Sequence, residues 1–252
     1  MRAILSDIHG NLEALEAVLA DMASFGVREV FCLGDLVGYG TDPIACVEHA
    51  MAWPVVLLGN FDLAAMQSDD LEGWTAHAAK RSIFNFRQRL LKTGKEATVG
   101  AFLRDLPYKH VDGQALYLHG SPRDPVNEYL FPEDIYNPRK LDAVAQGFER
   151  LCFCGHTHVP GIFYPHDEQE WAFLSPEQCD YQYQLGPGKT ICNVGSVGQP
   201  RDGDRRPSYV LLEEDTIIFS RVDYDIEKSI QKINDDDDDP DGLSGARLRD
   251  GR

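Results

Sequence analysis

Seven residues in this chain have the chemistry of metal ligands and fall in short polar blocks that interrupt apolar runs. They are Asp7 and His9 in Ser6-Asp7-Ile8-His9-Gly10-Asn11, Asp35 after Gly34, Asn60 in Gly59-Asn60-Phe61-Asp62, His119 in His119-Gly120-Ser121-Pro122, and the pair in Gly155-His156-Thr157-His158. A His-x-His pair by itself is a weak signal, because histidine is an ordinary polar residue as well as a common ligand. Carboxylate, imidazole and amide groups without a thiolate suit manganese, iron, zinc or nickel. Asp35 is able to bridge two ions through its two oxygens. Two divalent ions about 3.5–4 Å apart hold a hydroxide between them and clamp a phosphate in line with it.

Converging these residues requires a scaffold that brings strand ends to one rim. Arg2 to Ser6, Arg28 to Leu33 and Val55 to Leu58 read as three apolar strands, each running into one of the blocks. Between the first two, Leu12, Leu15, Leu19 and Met22 recur at helical spacing, with Asn11 as N-cap and Gly26 as stop. A second helix is expected near Ile44 to Ala50. Strand–helix–strand alternation implies parallel strands with right-handed crossovers, and ligands then bind beyond the carboxyl ends of the strands. Asp62 to Leu103, with Trp74, Phe84, Phe86, Leu90 and Leu91, reads as helical. Leu106 to His110 and Ala115 to Leu118 read as strands joined by Val111-Asp112-Gly113. A helix between Pro132 and Gly147 precedes the apolar run Leu151-Cys152-Phe153-Cys154 that delivers His156 and His158. After it, Gly161 to Tyr164, Trp171 to Leu174, Thr190 to Asn193, Ser208 to Leu212 and Thr216 to Val222 alternate with turns, which implies a second, largely antiparallel sheet. A last helix is expected over Asp225 to Ile233.

The 252 residues are enough for one large α/β domain, and the 43% hydrophobic and 26% charged fractions are those of a globular protein. We expect one domain over 1–234 and an acidic, disordered tail over 235–252, which begins with five consecutive aspartates and carries seven Asp against three Arg. No apolar run reaches the length of a membrane span, and the amino terminus turns polar too early for a signal peptide. A cytoplasmic protein without membrane contact is the expectation. The six cysteines, most of them in apolar contexts, then read as reduced buried thiols. A formal net charge of −17 argues against a long nucleic acid as partner, since such binding needs basic side chains to displace counterions.

Taken in order, Asp7-x-His9, Gly34-Asp35, Gly59-Asn60-x-Asp62, His119 and Gly155-His156-x-His158 resemble the motifs of the calcineurin-like metallophosphoesterases. His119-Gly120-Ser121-Pro122-Arg123 and the run from Asn193 to Arg201 are similar to the small bacterial and archaeal branch of YfcE-like phosphodiesterases. The resemblance implies an α/β fold, a four-layer αββα sandwich in which two mixed β-sheets pack face to face between helices. It implies two divalent ions, manganese first, with iron, zinc or nickel as alternatives. Asp7, His9, Asp35 and His158 would hold one ion, and Asp35, Asn60, His119 and His156 the other. A hydroxide bridging the ions would attack the phosphorus of a small phosphate ester or nucleotide, most readily a diester. Phosphomonoesters and dinucleoside polyphosphates are alternative substrates, and a metal-binding scaffold protein is the non-enzymatic alternative. Asp35 and Asn60 would be the catalytic pair, the Asn60 amide contacting substrate as well as metal.

One position departs from the commoner family pattern. Many relatives carry a histidine after the asparagine as acid toward the leaving alkoxide, where this chain has Phe61. Phenylalanine transfers no proton, so Phe61 reads as a wall of the pocket, and water, another side chain or a good leaving group must serve. Arg123 and Arg201 follow the motif loops and are candidates to grip a phosphate, with pairing to a carboxylate as the structural alternative. Tyr39 is a candidate pocket residue. His49, His77, His110 and His166 lie outside the motifs and read as surface or structural, His77 being the one to consider as a replacement acid.

Overall fold

The computed structural model describes residues 1–67, 77–167, 170–235 and 243–252. Two six-stranded mixed sheets form its centre. In the first, β1 (Arg2–Leu5), β2 (Glu29–Cys32) and β3 (Val55–Val56) pair in parallel, and β11 (Ser208–Glu213), β12 (Thr216–Arg221) and β9 (Gln182–Gln184) continue antiparallel from β1. In the second, β5 (Ala115–Leu118), β6 (Leu151–Cys154) and β10 (Thr190–Asn193) are parallel. That trio is flanked antiparallel by β4 (Lys109–Asp112) on one side and by β7 (Gly161–Asp167) and β8 (Glu170–Leu174) on the other.

The two-residue period of the strands sorts side chains into layers. Ala3, Leu5, Cys32, Val56, Tyr209 and Leu211 face helices on the outside of the first sheet. Ile4, Phe31, Tyr117, Leu151, Phe153 and Val210 meet between the sheets. Leu116, Leu118, Cys152, Cys154 and Phe163 face outward again, against the helix α6 (Pro138–Ala145) through Leu141 and Val144. The layers are helix, sheet, sheet, helix, as the resemblance implies. The helices over the first sheet are α1 (Leu12–Ser24), α2 (Pro43–Ala50), α3 (Asn60–Met66), α4 (His77–Thr93) and α5 (Val99–Arg104). Asn11 caps α1 as expected, its side chain accepting from the Ala14 N–H at 3.3 Å.

The partition of strands differs from the sequence reading. That reading gives the amino-terminal strands one sheet and the later short strands a second, antiparallel one. Instead, each sheet holds a parallel trio and antiparallel additions. The reason lies in which strands are apolar on both faces. β11 sends Tyr209 and Leu211 to one core and Val210 to the other, so it is suited to an interior place beside β1. β6 is buried at all four residues and takes the middle of the second sheet.

Three further details are corrected. The hairpin turn falls at Gly113-Gln114, sharing only Gly113 with the expected turn, because Asp112 pairs with Ala115 and Gly113 supplies the left-handed φ of +57°. The helix expected over 132–147 is split at Asn137, where Pro138 opens α6. The carboxyl-terminal residues are not an unstructured tail throughout: 243–250 form α8 (Leu243–Asp250), which places Leu248 against Ile226, Ile230 and Ile233 of α7 (Ile226–Asp235). Most of the aspartate run, and Trp74, lie outside the described residues. The described cysteines are all free, and five of the six are buried. Among the described residues, no helix is long and apolar enough to cross a membrane.

Candidate metal centre

All seven sequence-derived ligands come to one rim. Asp7 and His9 follow β1, Asp35 follows β2, and Asn60 opens α3 after β3, all on the first sheet. His119 follows β5, and His156 and His158 follow β6, on the second. Asp7, His9 and His158 form one buried group, and Asp35, His119 and His156 another; within each, the donor atoms lie within 4.8 Å of one another. Asn60 joins the second group, its Oδ1 3.2 Å from His119 Nε2.

The backbone at these positions is unusual. Asp7, His9, Asp35, His156 and His158 all have positive φ, between 48° and 68°. Such angles are uncommon for residues with a Cβ and cluster where surrounding structure over-determines them. Here that structure is visible. The Asp7, His9 and Gly10 N–H groups donate to the carbonyls of Gly34, Asp35 and Leu36, which zips the first two loops together. The Asp62 carboxylate accepts from the N–H groups of Asp35, Leu36, Val37 and Gly59. The sequence leaves the partner of Asp62 open; the structure makes it the anchor of the Asp35 loop. A Cβ at Gly59 would lie 2.0 Å from Asp35 Oδ1, and one at Gly155 would lie 2.5 Å from Asp7 Oδ2, so both glycines are required for close approach.

Proton positions follow from the partners. His9 Nδ1 lies 3.0 Å from the Val37 carbonyl, and His158 Nδ1 lies 2.6 Å from the Gln199 carbonyl. A carbonyl only accepts, so both Nδ1 atoms carry hydrogen, and Nε2 is the nitrogen each ring turns toward the centre. These Nε2 atoms are 3.2 Å apart, and His158 Nε2 is 3.1 Å from Asp7 Oδ1. Asp7 Oδ1 is buried and accepts no hydrogen bond. Two such nitrogens and an unpaired carboxylate oxygen at this separation fit a cation. His156 is turned the other way: Nε2 faces the Asn127 carbonyl at 3.2 Å, which leaves Nδ1 as its ligand atom, 3.0 Å from His119 Nε2. Backbone carbonyls that orient ligating imidazoles in this manner are a recurrent feature of metal sites.

Asp35 joins the groups through one oxygen. Oδ2 is 3.4 Å from His119 Nε2 and 3.7 Å from His9 Nε2, whereas Oδ1 accepts from the Phe61 N–H at 2.8 Å. Oδ2 is thus the oxygen that faces both groups, while the first turn of α3 holds Oδ1 in place. Charge is distributed to match. Burial holds the His9 imidazole down to about 4, and burial together with the neighbouring His119 holds His156 down to about 3. Burial also opposes charge on His119, but the adjacent Asp35, with Asp7 and Asp62 behind it, raises this ring to about 9. Burial disfavours the ionised carboxylates too, yet the surrounding imidazoles, His158 for Asp7 and His119 for Asp35, hold both well below the usual range.

The remaining candidates divide. Phe61 is buried and stands edge-on to His9, ring centroids 4.9 Å apart, as a wall of the pocket. Tyr39 packs on both rings, at 4.9 Å from His9 and 4.8 Å from Phe61. Arg201 lies at the rim, its N–H donating to the His158 carbonyl at 3.2 Å and its guanidinium 5.7 Å from the Tyr39 ring centre. Arg123 is on the outside, its guanidinium joined to the Glu128 carboxylate. His77 is exposed at the start of α4, and neither it nor His49, His110 or His166 belongs to either ligand group. One neighbour was not legible beforehand: Tyr129 stacks on His156 with centroids 3.7 Å apart at 18°. It sits in an irregular loop without periodicity, and only its aromatic character hints at a role.

Residues 1–216 match the calcineurin-like phosphoesterase superfamily domain. The chain is 34% identical over 244 residues to the uncharacterized protein MJ0912 of Methanocaldococcus jannaschii, covering 92% of this chain and 91% of that one. Among solved structures, it is similar to a metallophosphoesterase from Sphaerobacter thermophilus, with 32% identity, a TM-score of 0.81 and coverage of 100% of this chain and 99% of the other. The hypothetical protein PH1004 from Pyrococcus horikoshii OT3 shares the fold at 20% identity and a TM-score of 0.69, with 93% of each chain covered.

Proposed function

We propose that this chain, which belongs to the calcineurin-like phosphoesterase superfamily, hydrolyses small phosphate diesters at a pair of divalent ions. It is a metal-dependent phosphoric ester hydrolase. The observation that carries the diester reading is the joining of two buried imidazole–carboxylate groups through Asp35 Oδ2, next to Phe61 where an acid would stand. Asp7, His9, Asp35 and His158 would hold one ion, and Asp35, Asn60, His119 and His156 the other. Manganese suits the N/O donor set, with iron, zinc and nickel as competitors. When bound, such ions supply Lewis acidity toward phosphoryl oxygens and lower the pKa of water.

The protein's own contribution is placement. The carbonyls of Val37, Gln199 and Asn127 fix which nitrogen each imidazole presents. Asp62 holds the Asp35 loop, so the shared oxygen is set before any ion arrives. Asn60 turns Oδ1 toward His119, which leaves its amide N–H groups for a phosphoryl oxygen of the substrate. Phe61 and Tyr39 pack against one side of His9, and the Phe61 ring has no proton to give. A general acid is worth about 10²–10⁴-fold, so esters that leave as stable anions are favoured over alkyl monoesters. The net charge of −17 favours a small ester over a long polyanion.

The test is turnover of bis(p-nitrophenyl) phosphate and p-nitrophenyl phosphate by manganese-loaded protein, alongside the metal content of Asp35→Ala. Diester turnover exceeding monoester turnover, with metal lost in the variant, is expected. Failure to hydrolyse either ester, with metal content indifferent to Asp35→Ala, overturns the reading.

A further inference from the structure

Beside the metal pair lies a cleft of about 480 Å³, within the size range of small-molecule sites. Its walls are of two kinds. Phe131, Pro132, Pro160 and Phe173 are apolar and mostly flat; Glu133, Glu177, Asp202 and Arg201 are charged. Two links tie its wall to the candidate ligands. Val159, in its wall, follows His158 directly, and Arg201 is tied to the His158 carbonyl. On the other side runs a ladder of rings: His156 stacks on Tyr129, and Tyr129 stacks on Phe131 with centroids 5.3 Å apart at 9°.

We propose that this cleft binds the organic group of the phosphate ester, and that this group is a flat, uncharged aromatic ring system such as a nucleoside base. The proposal rests on the hydrolase reading above for the position of the phosphate. Tyr129 and Phe131 are 42% and 44% exposed, a large apolar area to leave in water on one loop. Yet the loop is held in place. Leu130 between them is buried, Asp134 accepts from the Phe131 N–H at 2.9 Å, and Lys140 binds both the Tyr129 carbonyl at 2.8 Å and Asp134 at 2.6 Å. Tyr129 is already stacked on His156 and Phe131, so the exposed Phe131 ring is the one this pinned backbone prepares for stacking without an ordering cost at binding.

Charge narrows the choice of group. Three carboxylates line the cleft against one guanidinium; Asp202 is paired with Arg221, which leaves Glu133 and Glu177 against Arg201, whose guanidinium already donates to Gln199. A second phosphate would be repelled there, which disfavours polyphosphate chains. A neutral base offers ring faces to Phe131 and N–H donors to Glu133 or Glu177. The cleft thus selects a single phosphate joined to an aromatic group.

The experiment uses full-length, manganese-loaded protein and calorimetric binding of three probes: thymidine 5′-monophosphate, thymidine 3′,5′-bisphosphate and methyl phosphate. Base–aromatic stacking predicts that the nucleotide binds about tenfold or more tighter than methyl phosphate, and that the bisphosphate loses that advantage. Phe131→Ala and Phe131→Leu should both close the gap, the second keeping apolar bulk without a ring. Equal binding of nucleotide and methyl phosphate, or a gap that survives both substitutions, overturns the cleft. Turnover of bis(p-nitrophenyl) phosphate is measured in parallel. Turnover without the gap sinks the cleft alone, and the gap without turnover sinks the hydrolase reading alone.

Discussion

The Asp62 carboxylate accepts a hydrogen bond from the Asp35 N–H at 2.8 Å, and its two oxygens take three more from Leu36, Val37 and Gly59. One buried side chain thereby fixes the left-handed backbone of another. Asp62→Ala leaves four buried donors unpaired, and at about 1–3 kcal/mol for a single unsatisfied group the expected loss is about 3 kcal/mol or more. Denaturant unfolding measures the stability, and metal analysis of the surviving folded protein should show reduced content, because the Asp35 oxygen is no longer held.

The two ligand groups should be separable by stoichiometry. His158→Ala removes a donor from the Asp7 group, and His156→Ala one from the Asp35 group. Each should retain close to one equivalent of manganese where the parent protein retains two. Asp35→Ala should lose most of both, since its Oδ2 faces both groups. Equilibrium dialysis followed by elemental analysis counts the ions, and equal losses in all three variants would refute the division.

Gly59→Ala is expected to be as damaging as the loss of a ligand. Its Cβ would lie 2.0 Å from Asp35 Oδ1 and 2.2 Å from the Asp35 nitrogen, and neither belongs to a flexible chain end. Lower thermal stability together with metal loss is the expected outcome, in contrast to Gly186→Ala, where nothing lies within 4 Å of the added carbon.

Phe61→His places an imidazole next to His9, where many members of the superfamily carry one. Turnover of alkyl esters should rise, by up to the roughly 10²-fold lower range of general-acid catalysis, while p-nitrophenyl esters change little. A parallel rise for both would show that the effect is one of packing.

The carboxyl-terminal helices are clamped by charge. Lys232 on α7 lies 2.6 Å from Glu13 on α1 and 2.8 Å from Asp42. Burial favours the neutral form of Glu13, but hydrogen bonds from Lys232 and Lys228 overcome it and hold this carboxyl below the ordinary glutamate range. A depressed carboxyl stabilises the fold in full above its unfolded value and loses that contribution as pH falls through the folded one. Hydrogen exchange of the α7 amides, taken relative to the intrinsic rate at each pH, should therefore quicken below about pH 4.3, the unperturbed glutamate value. Lys232→Met should quicken it at neutral pH and flatten the acid dependence.

The candidate ligands were legible because ligand chemistry is carried by few residue types and because each block directly follows an apolar run. Their backbone angles were not legible. Asp7, His9, Asp35, His156 and His158 give no glycine-like warning of a left-handed φ, which is imposed by contacts between loops far apart in sequence. An apolar run marked β6 as a strand and flanking turns marked β11, but neither signal says which sheet a strand joins. That depends on matching two apolar faces at once, as Tyr209 and Val210 do on opposite sides of β11. Tyr129 lay beyond any pattern, because its partner His156 is reached only after a 3-10 turn, a helix and a strand have folded between them.

Each ligand group draws on both sheets: Asp7 and His9 meet His158 from across the sandwich, and Asp35 meets His119 and His156. The spacing of the donor atoms within each group is accordingly not a local property of the rim. It is gauged by the thickness of the layer between the sheets, where Ile4, Phe31, Tyr117 and Phe153 act as spacers in a vice. Thinning that layer with a smaller side chain would alter the bite of the jaws, and so the reach of the catalyst, without touching a single donor atom.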